Sequence, residues 1–137
     1  MLRALRIIGK TAAVIVLVCI FVFLGARYGW RLFGFKMCES PKVVYVDTIY
    51  VTDKNVSVCG NTASSASAYV GFTYKVRDDA LYLGIKQNLL LGFLERYGGF
   101  SFKIEDDFSD LKAVFVTNGE ESKQVWDVEK DGKYLEK

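Results

Sequence analysis

The sequence predicts an all-β domain, an antiparallel sandwich or small barrel of about seven strands, following one N-terminal transmembrane helix. Three observations predict it. Residues 11–26, TAAVIVLVCIFVFLGA, run without a charge. Beyond the lone proline, Pro41, short runs of β-branched and aromatic residues alternate with polar ones and are separated by turn residues. With 137 residues in all, one anchor and one small domain use up the chain.

The charge-free run covers roughly 24 Å as a helix, short of a hydrocarbon core of about 30 Å. Counting from Ile7 lengthens the span, because Lys10 can snorkel back along its stem. Tyr28 and Trp30 suit an interfacial aromatic belt. The anchor is therefore placed at residues 7–30, behind a short basic tail at 1–10 and ahead of a juxtamembrane linker at 31–42. Two other readings stand beside it. A cleaved signal would need a small-residue site, and Leu24-Gly25-Ala26 is a mediocre one. A helix buried in a soluble globule is the third. A short tail ahead of a large C-terminal domain favours a cytoplasmic N-terminus, with the domain extracytoplasmic at the cell membrane, although three basic residues flank the run on each side.

The net charge of +2 hides an asymmetry. Arg3, Arg6, Lys10, Arg27, Arg31 and Lys36 bracket the helix with no acid among residues 1–37. The remaining hundred residues carry twelve Lys/Arg against sixteen Asp/Glu, a net of −4. A mildly acidic domain makes a poor phosphate-tracking surface, so no nucleic-acid partner is expected.

Strands follow in order within a domain at 43–129. Residues 43–52, VVYVDTIYVT, are apolar on both faces, which suits a central strand or a bulge. Residues 56–59 make a short second strand with Val56 and Val58 inward and Cys59 outward; residues 60–67, GNTASSAS, make a loop. The third and fourth strands form a hairpin across Asp78-Asp79, pairing Val76 with Leu81, Tyr74 with Leu83 and Phe72 with Ile85, while Lys75 and Tyr82 face out. Residues 100–104 alternate as a fifth strand. Glu105, Asp106, Asp107 and Asp110 form an acidic corner plugged by Phe108. Leu111, Ala113 and Phe115 lead the sixth strand. A four-residue loop, 118–121, then sets Leu111 against Val128 and Ala113 against Trp126 in the seventh. Residues 130–137 are charged and read as a loose tail.

Candidate sites are few. The absence of histidine removes Ser-His and Cys-His nucleophile pairs. No phosphate-cradling glycine loop occurs, no cofactor is implied, and no catalysis is expected. The acidic corner (Glu105, Asp106, Asp107, Asp110) is the best place to look for Ca²⁺, but it lacks the alternating ligands and closing bidentate acid of a calcium loop. Cys38 and Cys59 read either as two unpaired thiols or, in an oxidising compartment, as a disulfide closing a loop of about 20 residues. Residues 88–99 are too apolar for a solvated loop. They read as a cap on the core or, through Leu90, Leu91, Phe93, Leu94 and Tyr97, as a surface docking on a membrane or a protein partner. Tyr69 and Tyr82 read as outward strand tyrosines able to stack on a sugar.

The small-residue loop, aromatic hairpin, acidic corner and terminal strand with Trp126 give residues 43–129 their style. In that style they resemble the small extracytoplasmic β domains that Gram-positive bacteria tether by a single helix. The resemblance carries over no catalytic residue. The expected function is a membrane-tethered interaction, sensing or accessory module that contacts lipid through its helix and a protein through its domain. The alternatives are a subunit of a multi-protein membrane complex and an accessory domain acting on envelope polymers.

Overall fold

The computed structural model describes residues 2–63, 68–88 and 98–134, with side chains from Lys10 onward except at 26–28, 30, 31 and 88. The chain divides into two compact units, Met1–Gly34 and Phe35–Lys137.

In the first unit, α1 (Leu2–Tyr28) is a 27-residue helix rich in residues that also favour strands. Its formation follows from the lack of any Pro or turn cluster and from backbone groups that a helix satisfies internally. A 3₁₀ segment, Gly29–Met37, follows and breaks at Gly34, whose φ of 51° and ψ of −127° are non-helical. Every described side chain from Lys10 to Gly25 is exposed, including Val14, Ile15, Phe21, Val22 and Phe23. Among the described residues no helix is long and apolar enough to cross a membrane. The transmembrane span expected at 7–30 is corrected accordingly. The helical backbone also reaches back to Leu2, where a separate basic tail was expected.

Among its described residues the second unit holds seven strands in two sheets, sandwich-like and without a closed barrel. They are β1 (Val44–Val51), β2 (Asn55–Thr62), β3 (Ala68–Arg77), β4 (Ala80–Asn88), β5 (Phe100–Glu105), β6 (Ala113–Thr117) and β7 (Ser122–Asp127). One sheet runs β1-β2-β5 and the other β3-β4-β6-β7.

In the three-stranded sheet, the apolar residues on both phases of β1 are reconciled by a bulge. The register slips between Val46 and Thr48, so Val46 faces Gly60 while Ile49 faces Val58 and Val51 faces Val56. One extra residue reverses the alternation, turning Val44 and Val46 to the same side as Ile49 and Val51. Valines 44, 51, 56 and 58 are fully buried, and Phe100 and Ile104 of β5 join them. β1 is thus a bulged edge strand and not a central one. Gly60 makes room at the crossing, since a Cβ there would meet the Tyr45 carbonyl and stand 2.6 Å from Phe100 Cζ.

The β3–β4 hairpin has the expected register, with Val76 opposite Leu81, Tyr74 opposite Leu83, Phe72 opposite Ile85 and Lys75 opposite Tyr82. Asp78 and Asp79 adopt φ of 51° and 60°, the left-handed pair that matches the twist of a two-residue hairpin. A bulge between Tyr69 and Gly71 turns Tyr69 inward, onto Phe100 and Phe102, with ring centroids 6.0 and 6.4 Å away.

Two expectations about the second sheet are corrected. It is not wholly antiparallel, because β6 lies parallel to β4, with Leu81 beside Val114 and Leu83 beside Val116. The chain leaves β4, contributes β5 to the opposite sheet and only then returns as β6. That detour is long enough for the crossover a parallel pair requires. The β6–β7 loop is the expected four residues, with Thr117 paired to Ser122, but a bulge after Val114 shifts the far end by one. Trp126 therefore faces Val114, not Ala113, and Val114, Val116 and Trp126 are the buried set.

The expected loose tail is also corrected as far as Tyr134. Val128–Asp131 forms a short helix, α2, capped by the Asp127 carboxylate. Beyond it, the Tyr134 amide donates to the Val51 carbonyl at 2.8 Å and its ring meets Tyr50 edge-on at 4.9 Å.

Candidate functional site

The outer face of the four-stranded sheet carries an open cleft of about 310 Å³ lined by Phe35, Lys75, Arg77, Tyr82, Thr117, Gly119 and Ser122. Its construction follows from strand register. Side chains two apart on a strand share a face at a spacing of about 7 Å, so Lys75 and Arg77 stand side by side at the end of β3. Lys75 is opposite Tyr82, Tyr82 is beside Phe115, and Thr117 is paired with Ser122. All four strands thus contribute to one surface. Tyr82 and Phe115 stack with centroids 5.3 Å apart and planes 15° from parallel, which fixes the tyrosine ring in the floor.

Two covering groups complete the walls. Gly119, at φ 93° in the β6–β7 loop, brings backbone close to Phe35, whose Cβ would lie 3.3 Å from a Cβ at that glycine. Asn118 stabilises the loop by accepting from the Glu120 and Glu121 amides at 3.0 and 2.8 Å. Phe35 and Cys38 reach over Gly84 of β4, where an added Cβ would meet Cys38 Sγ and stand 2.8 Å from Phe35 Cδ1. Beside them the Cys38 backbone bridges to Lys86, and the Glu39 amide donates to the Ile85 carbonyl at 2.9 Å.

The electrostatics are one-sided. Lys75 and Arg77 bring two cations, and among the described residues no acid lines the cleft. Arg77 meets Asp78 at 3.2 Å at the rim, where both side chains are largely in solvent, so this pair holds the guanidinium only weakly. The hydroxyls are ordered. Thr117 Oγ1 donates to the Glu121 carbonyl at 2.8 Å and accepts from the Gly119 amide and from Ser122 Oγ, both at 3.0 Å. Ser122 thereby spends its proton on Thr117 and keeps its lone pairs for a donor in the cleft. The arrangement offers donors for an anion, an acceptor for a ligand hydroxyl and an aromatic floor. It offers no nucleophile paired with a base.

A second feature adjoins this face. Lys86 is 1% exposed, and burial holds its ammonium below the ordinary lysine range while the Cys38 thiol opposes that shift. Burial pushes Cys38 up to about 11, against the pull of Lys86.

The residues singled out from sequence are distributed differently. Leu90, Leu91, Phe93, Leu94 and Tyr97 lie outside the described residues. Cys38 and Cys59 are not joined: Cys38 packs beside Gly84 and Lys86 on the four-stranded sheet, whereas Cys59 is exposed on the three-stranded sheet, with Sγ 3.1 Å from Ser101 Oγ. In the acidic corner, Asp107 accepts from the Ser109 amide and hydroxyl at 3.1 and 2.7 Å, and Asp106 accepts from the Asp107 amide. Those hydrogen bonds hold the Asp107 carboxyl below its ordinary range. Among the described residues no group of three acids or cysteines is gathered to hold a metal ion, so Glu105, Asp106, Asp107 and Asp110 do not form a calcium site there. Of the two tyrosines read as sugar-stacking, Tyr82 lies in the cleft, while Tyr69 is packed inward and pushed up to about 12 by burial.

Sequence reasoning did not single out Lys75, Arg77, Thr117 and Ser122 as a site. The signal for the first two was present: the hairpin register that turns Tyr82 outward turns Lys75 and Arg77 outward beside it. Phe35 and Gly119 join them only through the tertiary fold. No family model, curated protein or solved structure matches the chain.

Proposed function

We propose that this chain is a membrane-held binding module, attached to lipid by its N-terminal helix and acting through the outer face of its four-stranded sheet on the extracytoplasmic side. The observation that carries the attachment is the exposure of every described side chain in the helix from Lys10 to Gly25, fifteen of them uncharged. Leaving such a stretch in water forfeits on the order of 25 cal/mol per Å² of apolar area, which a lipid phase recovers. The helix presents apolar residues on all sides, which suits immersion better than packing one stripe on a globule. Binding without catalysis is supported by a sequence that has no histidine and by a cleft whose charged groups are both cations.

The test is alkaline carbonate extraction of membranes from cells making the full chain. The protein is expected in the pellet, and a Leu17→Lys/Phe21→Lys double variant in the supernatant. Full-length protein released by carbonate would overturn the attachment. A membrane-impermeant thiol reagent reads the side, because Cys59 is exposed in the β unit: labelling in intact cells is expected, and labelling only after lysis would reverse the orientation.

A further inference from the structure

We infer that the cleft on the four-stranded sheet is a binding site for an anionic saccharide, a sugar ring bearing a phosphate or a carboxylate. This rests on the binding role proposed for that sheet face and is independent of the membrane attachment.

Three features of the lining converge on that ligand class. Lys75 and Arg77 are neighbours on one strand face, with about 7 Å between their Cα atoms, close enough for two flexible cationic chains to meet on one anionic group. They stand out from a β domain whose net charge is negative, so the local sign is opposite to the surroundings. Two aromatic side chains line the cleft: Tyr82, held by its stack on Phe115, and Phe35 give apolar surface against which the C–H groups of a sugar can lie. The third feature separates a sugar from a bare anion. Ser122 Oγ donates to Thr117 Oγ1, and Thr117 donates to the Glu121 carbonyl, so the hydroxyl presented to the cleft is an acceptor. An acceptor beside two cations is of no use to a fully ionised carboxylate or phosphate-ester oxygen, but it receives the O–H of a hydroxylated ring. The volume of about 310 Å³ is at the lower end for ligand pockets and suits one or two rings.

The experiment is isothermal titration of the full chain in neutral detergent micelles with four probes: glucose 1-phosphate, glucuronate, glucose and inorganic phosphate. No bilayer is involved, so its outcome is independent of membrane attachment. Saturable binding of glucose 1-phosphate or glucuronate is expected, and whichever binds more tightly identifies the anion. Lys75→Ala and Arg77→Ala are each expected to weaken it roughly tenfold. Ser122→Ala is expected to weaken the sugar anion. Both cationic side chains are on the rim of an exposed strand end, so circular dichroism melts of these variants should match the parent. The inference fails if neither sugar anion saturates by about 10 mM, which corresponds to negligible affinity. It fails equally if glucose binds as well as the anions, if inorganic phosphate matches glucose 1-phosphate, or if binding survives Lys75→Ala/Arg77→Ala in a folded protein.

Discussion

Phe72 of β3 and Phe102 of β5 stack across the two sheets, with ring centroids 4.0 Å apart and planes inclined by 10°. No backbone hydrogen bond ladder joins these strands, since they belong to different sheets. The ring pair, extended by Tyr69 and Phe100, is therefore a principal side-chain tie between the layers. It also sets the orientation of β3, the strand that carries Lys75 and Arg77 on its opposite phase.

Removing either ring should loosen the sandwich. Phe102→Ala and Phe72→Ala are each expected to destabilise by roughly 2 kcal/mol, less than a fully buried ring, because both rings are half-buried at the seam. The double variant should fall short of the sum by about 0.5–1.5 kcal/mol, the coupling of a stacked pair. Urea unfolding of the four proteins measures it, and strict additivity would show that the rings share no energy.

A glycine makes room for the cover over the cleft. At Gly84 an added Cβ would run into Cys38 Sγ and come within 2.8 Å of Phe35 Cδ1 and 2.9 Å of Thr73 Cγ2. Gly84→Ala should displace the residues 35–38 from β4 and destabilise the unit by about 1–3 kcal/mol through overpacking. Hydrogen exchange would show faster exchange at the Glu39 amide, which bonds to Ile85, with the core of β2 unchanged. Protection retained at Glu39 would mean that the strand itself gives way.

Much of the β unit was legible because strand faces follow a period of two. The Asp78-Asp79 hairpin came out residue for residue, since a two-residue turn leaves one register that matches apolar to apolar. The bulges were the limit. A single extra residue at Asp47, near Val70 and at Val125 reverses the phase, and only the partner strand reveals where it falls. That is why Tyr69 read as outward and Trp126 was set against Ala113. The parallel β4–β6 pair was hidden for another reason: alternation says which residues are inside, not which strands become neighbours. The cleft was half-legible. Lys75, Arg77 and Tyr82 lie on one hairpin and share its outward phase, whereas Phe35, Thr117, Gly119 and Ser122 are brought by long-range packing.

Alkaline pH should destabilise the domain. Cys38 is raised from 9.0 to about 11 and Tyr69 from 10.0 to about 12, both by burial. A raised folded-state value means that the folded form holds the proton longer. The associated stability is full below the unfolded value and is lost as pH climbs, from 9 to about 11 for Cys38 and from 10 to about 12 for Tyr69. Lys86 acts in the opposite sense: its lowered value penalises the fold at low pH, and the penalty fades as pH approaches 10.5. Thermal melts across pH 8–12 should therefore fall steeply above about 9. Cys38→Ala should delay the onset, and Tyr69→Phe should flatten the upper part. A Cys38→Ala profile that overlays the parent would remove the thiol from this account.

Lys133, just past α2, ties the acidic corner to the rest of the domain. Its ammonium donates to Asp53 Oδ1 at 2.9 Å, to the Phe108 carbonyl at 2.8 Å and to the Ser109 carbonyl, while its side chain is only 19% exposed. Phe108, 1% exposed, is the plug that this corner seats in the core, and its own amide donates to the Asp53 carbonyl at 2.8 Å. One cation thus satisfies two carbonyls that the turn leaves without strand partners. Lys133→Met keeps most of the side-chain volume but removes all three donors, and is expected to cost about 1.5–3 kcal/mol, the range for hydrogen bonds to a charged group. Asp53→Asn removes only the exposed carboxylate and should change stability by less than about 1 kcal/mol. The contrast between the two variants in guanidinium unfolding separates the contribution of the carbonyls from that of the ion pair. Equal losses would assign the tie to Asp53 alone, and the corner would then be expected to respond to salt as surface pairs do.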